Sequence, residues 1–122
     1  MAKTIMIVDD SASLRQVVGI ALRGAGYETI EACDGKDALS KLNGSKIHLV
    51  ISDVNMPNMD GITFVKELKA NPSYKFTPVI MLTTESQSSK KAEGQAAGAK
   101  AWVVKPFKPE QMLSAVAKLV MP

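Results

Sequence analysis

Leu49-Val50-Ile51-Ser52-Asp53-Val54-Asn55-Met56-Pro57 is an apolar run that ends in a carboxylate and then breaks into a loop. A short apolar run bounded by turn residues fits a strand buried on both faces. Asp53 then sits where a central strand leaves the sheet. In open parallel sheets, ligands and chemistry gather at those carboxyl ends. Thr4-Ile5-Met6-Ile7-Val8 is a second such run, and it ends in Asp9-Asp10. Neighbouring strand tips that carry this many carboxylates repel each other unless a cation lies between them. The two stretches together predict a divalent-metal site.

Outward from them the chain alternates. Ser11 is placed to cap a helix with Leu14, Val17, Val18, Ala21, Leu22 and Ala25 on its apolar face. Arg15, Gln16 and Arg23 lie opposite, and Gly24 and Gly26 end it. Residues 27–32 alternate as a strand near a sheet edge does. Asp34-Gly35 signals a turn, followed by a short helix through Ala38, Leu39 and Leu42 that closes at Asn43-Gly44. The third strand reads as residues 47–52, and residues 58–61 as a loop. Ile62, Phe64, Val65 and Leu68 mark a helix stopped by Asn71-Pro72. Residues 78–82 make a fourth strand ending at Thr83-Thr84, and residues 86–97 a helix rich in Ala, Ser and Lys. Ala101–Val104 is a fifth strand, ending at Lys105-Pro106. Pro109 suits the first turn of a last helix that buries Met112, Leu113, Val116, Leu119 and Val120.

Strand then helix, five times over, predicts an α/β fold: a doubly wound parallel sheet with right-handed crossovers. The flavodoxin-like (βα)5 order, 2-1-3-4-5, fits this length and puts the switch point between strands one and three. Those are the strands that end in Asp9-Asp10 and Asp53. Residues 1–122 read as a single domain with no second, output domain.

Composition excludes several function classes. The net charge is +3 with only Arg15 and Arg23 as arginines, which does not argue for nucleic-acid binding. No run has the length of a membrane span or the shape of a signal peptide. The single cysteine, Cys33, cannot form an internal disulfide and suits a reducing compartment, so a cytoplasmic location is expected. Cys33 reads as a small packing residue. His48, ahead of a strand with no Cys or His nearby, reads as a surface residue rather than a ligand or phosphorelay histidine.

Four strand ends therefore carry polar chemistry: Asp9-Asp10, Asp53, Thr83 and Lys105. Asp53 is the candidate nucleophile toward phosphorus, because a carboxylate can form an acyl phosphate. Asp10 and Asp53 are the candidate Mg²⁺ ligands, with Asp9 nearby directly or through water. The Lys105 ammonium and the Thr83 hydroxyl would bind the remaining phosphoryl oxygens. Each residue alone has a structural reading, as a turn, a cap or a solvated charge. Their joint placement at strand tips carries the functional one.

The segments Ile7-Val8-Asp9-Asp10-Ser11, Ser52-Asp53-Val54-Asn55-Met56-Pro57-Asn58-Met59-Asp60-Gly61, Met81-Leu82-Thr83-Thr84 and Trp102-Val103-Val104-Lys105-Pro106-Phe107 resemble, in order, the motifs of a response regulator receiver domain. The chain looks like a single-domain receiver of the chemotaxis (CheY) type. The family's own fold is the flavodoxin-like one, so fold and family are one inference rather than two. The resemblance implies that Asp53 accepts phosphate from a CheA-like sensor histidine kinase or a small phosphodonor. It implies Mg²⁺ held by Asp10, Asp53 and the backbone carbonyl of Asn55, with Asp9 supporting. It implies that Thr83 moves toward the phosphoryl group and Lys105 pairs with it, that the Lys105-Pro106 peptide is cis, and that Trp102 is the aromatic switch residue. Trp102 stands where Tyr or Phe is usual, and Thr84 where a small residue is common. Asn55 and Glu85 are the pair found beside the phosphoryl site of chemotaxis regulators. The implied partners are the kinase, a FliM-like motor-switch protein and a phosphatase, with the chain itself a monomer. The expected partner face carries Lys90, Lys91, Trp102 and Lys118, with Lys100 and Lys108 adding to its basic character.

Other readings use the same residues. A phosphorelay intermediate or phosphate sink keeps the fold and changes the role. A phosphohydrolase of the haloacid dehalogenase type also uses Asp, Mg²⁺ and Lys, but wants Asp-x-Asp on the first strand, where Asp9 and Asp10 are adjacent. A flavin carrier wants a Ser/Thr/Gly phosphate loop after strand one, where acids stand instead. The chain is therefore expected to catalyse only its own phosphorylation and dephosphorylation.

Overall fold

Three of the five strands are buried along almost their whole length, and they occupy the middle of the sheet. The structure, a computed structural model, describes residues 2–42, 44, 46–84 and 91–120. The elements alternate as β1 (Thr4–Val8), α1 (Ala12–Gly24), β2 (Glu28–Ala32), α2 (Gly35–Lys41), β3 (Leu49–Asp53), α3 (Gly61–Ala70), β4 (Val79–Thr83), α4 (Lys91–Ala97), β5 (Ala101–Val104) and α5 (Pro109–Leu119). The strands form one parallel sheet in the order β2-β1-β3-β4-β5, the flavodoxin-like order.

Successive side chains on a strand point to opposite faces. Met6, Val8, Val50, Val79 and Met81 pack with α2 and α3 residues such as Ala38, Phe64 and Leu68. Ile5, Ile7, Leu49, Ile51, Ile80 and Leu82 pack on the other face with Val18 and Leu22 of α1 and Met112 and Val116 of α5. Helices antiparallel to the strands return the chain to the same sheet edge each time. Every strand tip therefore projects its loop at one end of the molecule.

Local chemistry sets the boundaries. Ser11 Oγ accepts the N–H of Leu14, Asp34 Oδ1 that of Asp37 and Asp60 Oδ1 that of Thr63, capping α1, α2 and α3. Gly26 has φ +98° just past the end of α1, a backbone that favours glycine. β3 runs Leu49–Asp53, two residues later at its start than the sequence predicts and one later at its end. His48 spends its groups ahead of the strand. Its N–H donates to the Thr4 carbonyl, and its Nδ1 accepts the Thr4 N–H at 3.0 Å. His48 is half-buried by this pairing rather than on the open surface. Val17, expected on the apolar face of α1, is 54% exposed, because α5 covers only the Val18 and Leu22 side. Of the predicted helix over 86–97, the described part is Lys91–Ala97; the rest lies outside the described residues.

Gly61 opens α3 where it meets β3. Its N–H donates to the Val54 carbonyl at 2.8 Å, and a Cβ added there would lie 2.0 Å from the carbonyl oxygen of Asp53. Gly24 has open space around it. Gly61→Ala is expected to cost about 2 kcal/mol of stability in urea unfolding, because it overpacks backbone that cannot yield. Gly24→Ala is expected to be neutral or slightly stabilising. Equal, small effects at both positions would show that the α3 contact is looser than described.

Candidate functional site: a carboxylate cluster at the strand tips

β1 and β3 are adjacent, with Val8 opposite Ser52, so Asp9 and Asp53 leave the sheet side by side. Asp9 is fully buried and Asp53 nearly so, while Asp10 is exposed. One carboxylate oxygen from each of Asp9, Asp10 and Asp53 lies within 4.8 Å of the others. The Lys105 chain enters from the tip of β5, where its N–H donates to the Thr83 carbonyl at 2.6 Å. Its ammonium sits 3.1 Å from Asp9 Oδ2 and 3.3 Å from Asp53 Oδ1. The other Asp9 oxygen accepts the Ser11 N–H at 2.9 Å.

Electrostatics follow from this crowding. Burial, and then the charge of Asp9, raises the Asp53 carboxyl above its ordinary value; Lys105 and the Asn55 N–H only partly oppose them. Burial by itself would lower the Lys105 ammonium, but its hydrogen bond to Asp9 and the charges of Asp53 and Asp9 outweigh it and raise it. Three carboxylates and one ammonium leave the cluster with two negative charges in excess. Hard oxygen donors, converged and carrying this excess, fit a divalent cation such as Mg²⁺.

Three residues that the sequence reading left as helix or turn residues hold the cluster's loops. Arg15 of α1 donates to the Asp9 backbone carbonyl at 2.5 Å and pairs with Glu31 of β2 at 3.1 Å, fixing the turn after β1. Asp34 caps α2 with one oxygen and accepts from the Asn58 side chain with the other at 2.8 Å. The Asp37 N–H first, and then the Asn58 amide, lower the Asp34 carboxyl. Asn58 has φ +69°, a backbone that Asn tolerates better than most residues. Met59 beside it packs so closely on Gly35 that a Cβ there would lie 2.9 Å from its sulfur. The loop that carries Asn55 is therefore fastened to α2 rather than to the sheet alone.

The remaining predicted residues fall as follows. Asn55 is exposed in the loop after β3. Thr83 is buried at the tip of β4, opposite Val104. Trp102 pairs with Met81, is half-buried, and packs on the face covered by α3. Its indole Nε1 is buried without a hydrogen-bond partner among the described residues. The Lys105-Pro106 peptide is cis. Trp102, Val104, Glu110 and Lys118 line a groove of about 700 Å³ between β5 and α5. Lys118 and Lys108 are exposed, and Glu110 makes the groove mixed in charge rather than uniformly basic. Lys90, Glu85 and the side chain of Lys91 lie outside the described residues. Cys33 is exposed, and partial desolvation followed by the Asp37 and Asp34 carboxylates pushes its thiol up, away from reactivity.

Known proteins share this fold. The profile of the response regulator receiver domain matches residues 5–117. The solved structure of chemotaxis response regulator CheY4 of Vibrio cholerae superposes with a TM-score of 0.93 at 47% identity, over 98% of this chain and 100% of that one. Protein PilG of Pseudomonas aeruginosa is 35% identical over 112 residues, which are 92% of this chain and 83% of PilG. The phosphate regulon transcriptional regulatory protein PhoB of the same species is 34% identical over 114 residues, 93% of this chain but 50% of PhoB. No helix among the described residues is long and apolar enough to cross a membrane. With the buried carboxylates, their lysine and the 2-1-3-4-5 sheet in place, the chain belongs to the response regulator receiver domain family.

Proposed function

We propose that this receiver takes a phosphoryl group onto Asp53 from the phosphohistidine of a sensor kinase, or from a small phosphodonor, and that phosphorylation alters its β5 and α5 face. The observation that carries the reading is the Lys105 ammonium shared between Asp9 at 3.1 Å and Asp53 at 3.3 Å. It holds the nucleophile in place and is positioned to follow it once phosphorylated. A carboxylate oxygen of Asp53 attacks phosphorus, and the donor imidazole leaves. Asp10, Asp53 and the Asn55 carbonyl would hold Mg²⁺, with Asp9 supporting, and the ion would supply positive charge against the carboxylates and the phosphoryl oxygens. Lys105 and the Thr83 hydroxyl bind those oxygens as well.

The output rests on Trp102. Its buried N–H, with no acceptor among the described residues, costs the resting indole position about 1–3 kcal/mol relative to one in which it is hydrogen-bonded. Thr83 and Trp102 project to the same face of adjacent strands. Movement of Thr83 toward the phosphoryl group opens space beside the ring and biases it. The similarity to a chemotaxis response regulator favours a cytoplasmic chemotaxis role. In it, a CheA-like kinase supplies the phosphoryl group, a FliM-like motor-switch protein binds the β5 and α5 groove, and a phosphatase ends the signal. Transfer from Asp53 onward to a histidine-containing domain, without motor-switch binding, would instead make the chain a phosphorelay intermediate.

Incubation with acetyl phosphate and Mg²⁺ is expected to add one phosphoryl mass to the intact protein, with none added to Asp53→Ala or in EDTA. A folded sample that gains no mass overturns the reading. Trp102 is the sole tryptophan, so its emission reports the switch. The same treatment is expected to change that emission in the wild type. Thr83→Ala is expected to gain the mass while losing most of the emission change. An unaltered response in Thr83→Ala would uncouple Trp102 from Thr83.

A further inference from the structure

The end of the sheet opposite the carboxylates is basic. Lys3, Lys46, Lys75 and Lys100 each lie a few residues ahead of β1, β3, β4 and β5, so the parallel sheet gathers them along one edge. The Lys100 N–H bonds the Val79 carbonyl and the His48 N–H bonds the Thr4 carbonyl, which ties the strand entries together. None of these four lysines is in an ion pair among the described residues. Glu28, opposite Thr4 at the start of β2, is the acidic residue that opens a strand at this edge. Lysines at helix C-termini are ordinarily explained by the helix dipole. That accounts for Lys69 in the last turn of α3, which also donates to the Thr77 carbonyl. It does not account for the other four, which lie outside the helices.

The same edge carries the most exposed large apolar side chain among the described residues. Phe76 is 87% exposed, with the Lys75 ammonium 5.7 Å from its ring centre. Beside it lies a depression of about 560 Å³, lined by Lys46, Ile47, His48, Pro72, Tyr74 and Phe76. An exposed aromatic ring beside Lys75 and a concavity of side-chain size lined by Lys46 are complementary to a carboxylate-rich polypeptide with an apolar anchor. Nucleic acid fits less well. Both arginines lie on α1, where Arg15 is paired with Glu31 and Arg23 with Thr29. A lipid surface would use a protruding ring but not the depression.

We propose that this edge is a docking surface for an acidic protein segment, whose apolar side chain seats beside Phe76 while its carboxylates lie over Lys46 and Lys75. Asp9, Asp53 and Lys105 stand at the other end of the strands, so a receiver held by this edge keeps its phosphoryl site free. The proposal does not depend on the phosphorylation chemistry.

The test is an NMR titration of the full, labelled chain with the hexapeptide DEDFED, and with KKKFKK as the charge-reversed control. Saturable shifts are expected at the amides of Lys46, Ile47, His48, Tyr74, Phe76 and Lys100 with DEDFED alone. Phe76→Ser and Lys46→Glu are each expected to raise Kd about tenfold, as loss of an anchor does, with Tm unchanged. Phosphoryl uptake by Phe76→Ser is expected to match the wild type, so failure here is separable from failure at Asp53. Shifts confined to other surfaces, or no saturation, overturn the proposal. So does tighter binding to phosphatidylglycerol vesicles or duplex DNA than to DEDFED, or self-association lost in Phe76→Ser.

Discussion

Like charges packed at the tips of two adjacent strands constrain this molecule more than any other interaction. Asp9 and Asp53 are both buried, and Asp10 brings a third carboxylate to within 4.8 Å. Buried charges are tolerated only when paired or bound to a cation. Here a single ammonium, on Lys105, serves both buried acids at once. The site is stable enough to form and too negative to be satisfied. That residual imbalance fits a divalent cation, and the proposed phosphoryl transfer would draw on it.

The fold exists to keep this imbalance in place. Central strands buried on both faces give the tips a rigid base, and the fasteners come from outside the sheet: Arg15 on the Asp9 carbonyl, and Asp34 on Asn58. At the other side of the site, Thr83 and Lys105 leave neighbouring strands, and Trp102 hangs below them, its indole N–H unpaired among the described residues. A rigid charge cluster thus adjoins an aromatic side chain whose resting place leaves a polar group unsatisfied among the described residues. That is the pairing a switch needs, since a local change in charge can tip only an element that is close to balanced.

The central strands were legible in the sequence because burial on both faces leaves little choice but an unbroken apolar run. Ile5–Val8 and Leu49–Ile51 show it, and the acids that end those runs were legible for the same reason. β3 begins at Leu49 rather than residue 47 because His48 turns its ring nitrogen back onto Thr4, a contact across 44 residues that no local pattern announces. Periodicity identified α1 as a helix but could not say how much of its apolar stripe α5 would cover, so Val17 was misplaced. Asp34-Gly35 was visible as a turn. The second partner of Asp34, Asn58, is 24 residues away and could be found only in three dimensions.

The carboxylate cluster is short of positive charge. Because Asp53 is held above its ordinary 3.8, the folded chain keeps a proton there that the unfolded chain has lost. Without metal, stability therefore falls as pH rises through that window and stays lower above it. The most direct test is thermal unfolding of the wild type and Asp53→Asn at pH 7, in EDTA and in millimolar Mg²⁺. The wild type is expected to melt below Asp53→Asn in EDTA and to rise with Mg²⁺, while the variant responds far less. A wild type that is the more stable of the two in EDTA and indifferent to Mg²⁺ would contradict the account.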